Sequence, residues 1–191
     1  MGLEWVAQVL AQENTTVIAA GRLSDDFQEL KQLQKLNAGR LRIVKMELLQ
    51  PDTITAVADK LLQSCPDGID YLINNAGILG TYSTVNEQTV QDFTEVLLTN
   101  VVGTFSVTKS FLPLLRAGHK KVIVHISSNA ASLSRNEHGI KQDGLTGASL
   151  ALSYRASKVA VNMRRPQQRC CFTGADSSCV AVLKDAYSVE L

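Results

Sequence analysis

Tyr154 and Lys158 stand four positions apart in the run Tyr154-Arg155-Ala156-Ser157-Lys158, which contains no helix breaker. On a helix that spacing puts both side chains on one face. An ammonium beside a phenol favours the phenolate, and so draws a group that titrates near about 10 in water toward a range where it can exchange a proton. The pair can serve acid–base chemistry, although the same spacing also occurs on ordinary helix surfaces. Three other clusters accompany it: Gly21-Arg22, Asn74-Asn75-Ala76-Gly77 and Ser127-Ser128. What they can do together depends on the elements that carry them.

Leu3, Val6, Ala7 and Leu10 recur at helical spacing, so the chain opens in an amphipathic helix with no strand before it. Thr15 to Ala20 predicts a buried strand ended by Gly21-Arg22. Ser24 is placed to cap a helix with Phe27, Leu30, Leu33 and Leu36 near one stripe. Leu41 to Leu48 predicts a second strand. Pro51 opens a helix burying Ile54, Val57, Ala58, Leu61 and Leu62, closed by the turn Cys65 to Gly68. Tyr71 to Ile73 is a third strand running straight into Asn74. Val90, Phe93, Val96, Leu97, Val101, Phe105, Thr108 and Phe111 trace one long helix that Pro113 brings near its end. Lys121 to Ile126 is the fourth strand, stopped by Ser127-Ser128. Asn129 to Ser153, rich in Ser, Asn and Gly, predicts a long loop beside the site. Cys179 to Leu183 can form one more short strand.

Short buried strands alternating with helices predict an α/β fold, a doubly wound parallel sheet. In such sheets the chemistry lies beyond the carboxyl ends of the strands, and the three clusters stand at such ends. The chain has 191 residues, enough for one domain with a sizeable core. Its formal charge of +1 gives no field to attract nucleic acid or an anionic membrane, so the expected partner is a small molecule or another protein. No apolar run approaches a membrane span and no secretion signal is apparent, so a soluble, cytoplasmic protein is expected. Cys65, Cys170, Cys171 and Cys179 form no CxxC pair, and His119, His125 and His138 share no ligand spacing; free thiols and no metal site are expected.

In this order and on these elements, Asn74 to Gly77, Asn100-Val101-Val102-Gly103, Ile126-Ser127-Ser128 and Tyr154 with Lys158 resemble the short-chain dehydrogenase/reductase (SDR) family, with a carbonyl-reductase-like character in the Tyr-Arg-Ala-Ser-Lys form. The resemblance implies a Rossmann-like fold and an oxidoreductase that moves a hydride between NADP(H) and a ketone, aldehyde or alcohol. It assigns Ser128 to the substrate oxygen, with Ser127 as the competing serine, and Tyr154 to the proton transfer. Lys158 would promote the phenolate and bind the nicotinamide ribose, and Asn100 would hold a relay water beside that lysine. Such roles answer a chemical need, since hydride addition to a carbonyl leaves a developing oxyanion that wants a fixed donor and a proton source. Arg22 at the end of the first strand favours NADP over NAD by accommodating a 2′-phosphate, with a solvated surface arginine as the other reading. Glu47 stands where the family has an aspartate near the adenine, and Ala76 and Gly77 allow the cofactor close to the backbone. Asn74 or Asn75 lines the cofactor or bridges strands.

The resemblance covers about Gly2 to Met163, a partial NAD(P)-binding domain from 1 to 163, and leaves 164–191 as an atypical tail. The family's first strand and its TGxxxGxG turn are missing, with Gly2 as the last glycine of that turn at most, so the sheet is expected to be incomplete at its centre. The chain is then a truncated or misassembled product, or a short variant with another task. Beside the enzyme stand two alternatives, a noncatalytic partner of a full-length relative and an inactive fragment. A homo-oligomer is a family expectation.

Overall fold

The computed structural model describes residues 2–22, 28–133, 151–162 and, as backbone alone, 178–183. Its elements run α1 (Gly2–Leu10), β1 (Thr15–Gly21), α2 (Gln28–Leu36), β2 (Leu41–Lys45), α3 (Pro51–Ser64), β3 (Tyr71–Asn74), α4 (Val90–Leu97), a π-helical segment (Leu98–Gly103), α5 (Thr104–Ala117), β4 (Val122–His125), a 3-10 turn (Asn129–Ala131), α6 (Leu152–Asn162) and β5 (Ser178–Leu183). Ser24, Phe27, His138, Cys170 and Cys171 lie outside the described residues, as does most of the expected loop before α6.

The five strands form one sheet in the order β2-β1-β5-β3-β4, and all four pairings are parallel. Alternation along β1 assigns its two faces. Ile18 and Ala20 point into a core with Ile54, Ala58 and Leu61 of α3 and Val107, Phe111 and Leu114 of α5. Val17 and Ala19 point the other way, toward Val6, Val9 and Leu10 of α1 and Leu30 of α2. The period of two in the strands and the stripes of the helices thus build the doubly wound layers the sequence predicts. Each fully buried Leu or Ile among them contributes about 1.5–3 kcal/mol.

The centre of the sheet differs from the sequence reading, which leaves it without a strand. Ser178–Leu183 stands there, with Val17↔Val180 and Ile18↔Ala181 on one side and Tyr71↔Val180 and Leu72↔Ala181 on the other. A tail segment therefore supplies the ladder bonds that β1 and β3 would otherwise lack. The lone short strand expected at Cys179 to Leu183 is this element, one residue longer.

Several expected core positions are exposed. Leu36 ends α2 and is 82% exposed, and Leu62 follows the buried Leu61 by one residue, about 100° around the helix. The long helix is real but not uniform, and its stripe does not run through Val90 and Phe105, both of which face outward. Six residues of π-helix interrupt it, between the buried Val96 of α4 and the buried Thr104, Val107, Phe111, Leu114 and Leu115 of α5. Gly103 closes the π segment against the loop after β2; a Cβ there would lie 2.8 Å from Leu48 Cβ, so only glycine lets the backbones approach.

Candidate active site

Because every pairing is parallel, the carboxyl ends of the strands share one edge of the sheet. Gly21-Arg22 leaves β1 there, Glu47 follows β2, Asn74 to Gly77 leave β3 and Ser127-Ser128 follow β4. Helix α6, which bears Tyr154 and Lys158, packs against α4, the π segment and the 3-10 turn. The residues singled out from spacing are thus carried by neighbouring elements.

Lys158 is 5% exposed, its Nζ 5.5 Å from the centroid of the Tyr154 ring. The ammonium donates to the main-chain oxygen of Ile126 at 2.8 Å, which ties α6 to the end of β4. Loss of water around it lowers the Lys158 pKa from the ordinary lysine value. Ile126 O is its acceptor among the described residues, and an ammonium has three protons to place. Beside it lies Gly77, where a Cβ would come within 3.1 Å of Asn100 Oδ1 and 3.7 Å of Lys158 Nζ. Glycine lets the loop after β3 come this close to both side chains.

Asn100, 1% exposed, joins three segments. Its Oδ1 accepts from Ile78 N at 2.8 Å, and its Nδ2 donates to Ile78 O at 2.8 Å and to Ser157 Oγ at 2.9 Å. The π segment turns this side chain inward, onto the loop after β3 and onto α6. Ser157 in turn donates to Tyr154 O at 2.7 Å. A role for Asn100 next to the lysine is read from the sequence; its grip on Ile78 and Ser157 is not, because both partners lie outside any motif that names Asn100.

Ser128 caps the 3-10 turn, its Oγ accepting from Ala130 N at 3.1 Å and donating to Asn129 Oδ1 at 3.3 Å. Ser127 Oγ is buried without a hydrogen-bond partner among the described residues. Asn74, 4% exposed, donates to Thr108 Oγ1 at 3.3 Å and lies 3.3 Å from His125 Nδ1, so its side chain bridges β3, α5 and β4 in the way of the strand-bridging alternative. Ala76 is buried just beyond it. Glu47 accepts from Gln50 Nε2 at 2.8 Å, and its main-chain N–H donates to Thr53 Oγ1 at 3.1 Å, which folds the end of β2 into the start of α3. Arg22, half-buried, sits just past β1. Unforeseen from the sequence are Gln88 and Ser153, whose hydrogen bond crosses from the loop before α4 to α6 at 2.7 Å.

Residues 1–166 match the family model described as short chain dehydrogenase. The chain is 36% identical over 137 residues to the short chain dehydrogenase gsfK of Penicillium aethiopicum, covering 70% of this chain and 55% of that protein. It is 30% identical over 165 residues to the mitochondrial D-beta-hydroxybutyrate dehydrogenase of Bos taurus, covering 83% and 47%. Among solved structures, an NADPH-bound carbonyl reductase from chicken fatty liver superimposes with a TM-score of 0.73 at 33% identity, covering 85% of this chain and 63% of that one. The chain spans about half the length of the curated relatives it matches. With the strand-end clusters and the Tyr154–Lys158 face assembled on one sheet edge, this chain belongs to the short chain dehydrogenase family.

Proposed function

We propose that the chain is an NADP(H)-dependent oxidoreductase that reduces a ketone or aldehyde, or oxidises the corresponding alcohol. The observation that carries this reading is the buried Lys158 ammonium beside the Tyr154 ring, with the backbone of Gly77 brought close against it. Hydroxyl groups of a ribose are suitable acceptors for the protons that Lys158 does not place on Ile126 O, and the small side chains of Ala76-Gly77 suit a flat ring laid against the backbone. Arg22 would take the 2′-phosphate, with Glu47 near the adenine.

When bound, the cofactor supplies the hydride. Tyr154 gives its phenolic proton to the carbonyl oxygen, and Lys158 stabilises the phenolate left behind. Ser128 donates a hydrogen bond to the same oxygen by giving up its long bond to Asn129. Asn100 holds the loop carrying Gly77 and the helix carrying Tyr154 at a fixed separation. The cofactor-binding unit takes in residues 1–163, and the tail returns one strand to its sheet.

NADPH titrated into the purified chain tests the cofactor half directly. A rise in nicotinamide fluorescence, lost on Arg22→Asp, is expected; a folded sample with no response would end the enzyme reading. A second reading, a noncatalytic partner of a longer relative, draws on the exposed Leu98, Val102 and Phe105, which stand at i, i+4 and i+7. It gains ground if NADPH fails to bind while the chain co-sediments with that relative.

A further inference from the structure

Helix α6 carries two serines, Ser153 and Ser157, one turn apart and both fully buried. Tyr154 and Lys158 each follow one of them, so the serine stripe and the tyrosine–lysine stripe are turned about 100° from each other on the same helix. Each serine accepts a hydrogen bond from a side-chain amide of the chain after β3. Asn100 Nδ2 reaches Ser157 Oγ at 2.9 Å, and Gln88 Nε2 reaches Ser153 Oγ at 2.7 Å.

The second tie is itself braced. Gln88 Nε2 also donates to Asp92 Oδ2 at 2.8 Å, and the other carboxylate oxygen accepts from Thr81 N and Thr81 Oγ1, both at 2.9 Å. Asp92 is fixed in turn by α4, where its N–H donates to the capping Thr89 Oγ1 at 3.0 Å. A carboxylate only accepts, so the nitrogen of the Gln88 amide, not its oxygen, must face Asp92. The same nitrogen then addresses Ser153 as a donor. Desolvation works against the charge on Asp92, but the hydrogen bonds from Thr81 and Gln88 outweigh it and leave its pKa lowered.

The two ends of α6 need such help unequally. Lys158 lies in the body of the helix, held by the main-chain ladder. Tyr154 lies in the first turn, where the leading N–H groups have no helical acceptor and the backbone has just left a positive φ of 56 at Ala151. We propose that Asp92, Gln88 and Ser153 form a positioning tie that sets the place of Tyr154, as Asn100 and Ser157 do one turn later for Lys158. It rests on the reading of Tyr154 as the proton donor, but concerns residues that touch no reacting atom.

The full chain labelled with 13Cζ-tyrosine tests it, since its four tyrosines give four ring signals and Tyr154→Phe assigns one of them. Gln88→Leu keeps the size and removes the donor. The Tyr154 signal alone is expected to move or split, with NADPH affinity within about twofold of wild type and kcat down about tenfold. Asp92→Asn, which weakens the brace without emptying it, should do the same by less, and decides the matter if Gln88→Leu fails to fold. A Tyr154 signal unmoved in the folded variant would overturn the tie, whatever the turnover. If wild type shows no turnover but Gln88→Leu shifts Tyr154 alone, the tie stands and the enzymatic reading falls.

Discussion

The two halves of the sheet edge are built by different means. Around β3, β4 and α6, buried and half-buried side chains hold the parts together: Asn100 on Ile78 and Ser157, Gln88 on Ser153, Lys158 on Ile126 O, Asn74 on Thr108. Strands β1, β5 and β3 are joined to one another by main-chain ladder, with apolar faces of α1 and α2 packed on β1, and side-chain bonds such as Arg40 on Leu10 O and Gln34 on Leu41 O lie at the opposite, amino-terminal end of the strands. The contrast is between specification by residue identity and specification by backbone. Every residue except proline brings the same N–H and C=O to a ladder, whereas only an amide side chain can span from the π segment to both Ile78 and α6.

The difference is sharpest under substitution. Ala181→Pro in β5 leaves the side-chain ties untouched but removes a ladder donor in the middle of the sheet, between Ile18 and Leu72. A loss of about 3 kcal/mol or more is expected, read as a fall in the urea midpoint; an unchanged midpoint would mean that the sheet stands without its central strand. Asn100→Leu acts on the other half. It leaves the main-chain N–H and C=O of Ile78 without partners, at about 1–3 kcal/mol for each group that water cannot reach, and should weaken NADPH binding as well as the fold. Equal stability loss with undiminished binding would separate Asn100 from the site.

These two regions also differ in how far the sequence discloses them. The strand ends were legible because Asn74 to Gly77 and Ser127-Ser128 follow β-branched, apolar runs, and Tyr154, Lys158, Asn100 and Gly77 because their spacing matches a known pattern. Strand β5 was legible only as a short apolar run, since nothing in SCVAVL encodes a place between β1 and β3. The π segment was hidden for a related reason: a helix that gains one residue in a turn keeps its composition, and nothing in Leu98 to Gly103 marks the change. Gln88 and Ser153 were missed because a hydrogen bond between residues 65 apart leaves no periodic trace.

Lys158 offers the smallest effect and a sign to check. Its folded pKa lies below the ordinary value of 10.5, so the unfolded chain binds the proton more readily and stability rises with pH between the lowered folded value and 10.5. Lys158→Met removes that dependence. The melting temperature of the variant relative to wild type should therefore fall steadily as pH is raised through that interval; a difference that stays flat would place the ammonium in water rather than in the site.

The most direct measurement is NADPH oxidation by the purified chain with an aromatic ketone or aldehyde in excess, run beside Tyr154→Phe with nicotinamide fluorescence recorded for both. A chain that works through Tyr154 and Lys158 turns the carbonyl over as wild type, and as Tyr154→Phe binds NADPH with similar affinity but loses turnover by about 100-fold or more. Turnover that survives the loss of the phenol would contradict the assignment of the proton to Tyr154.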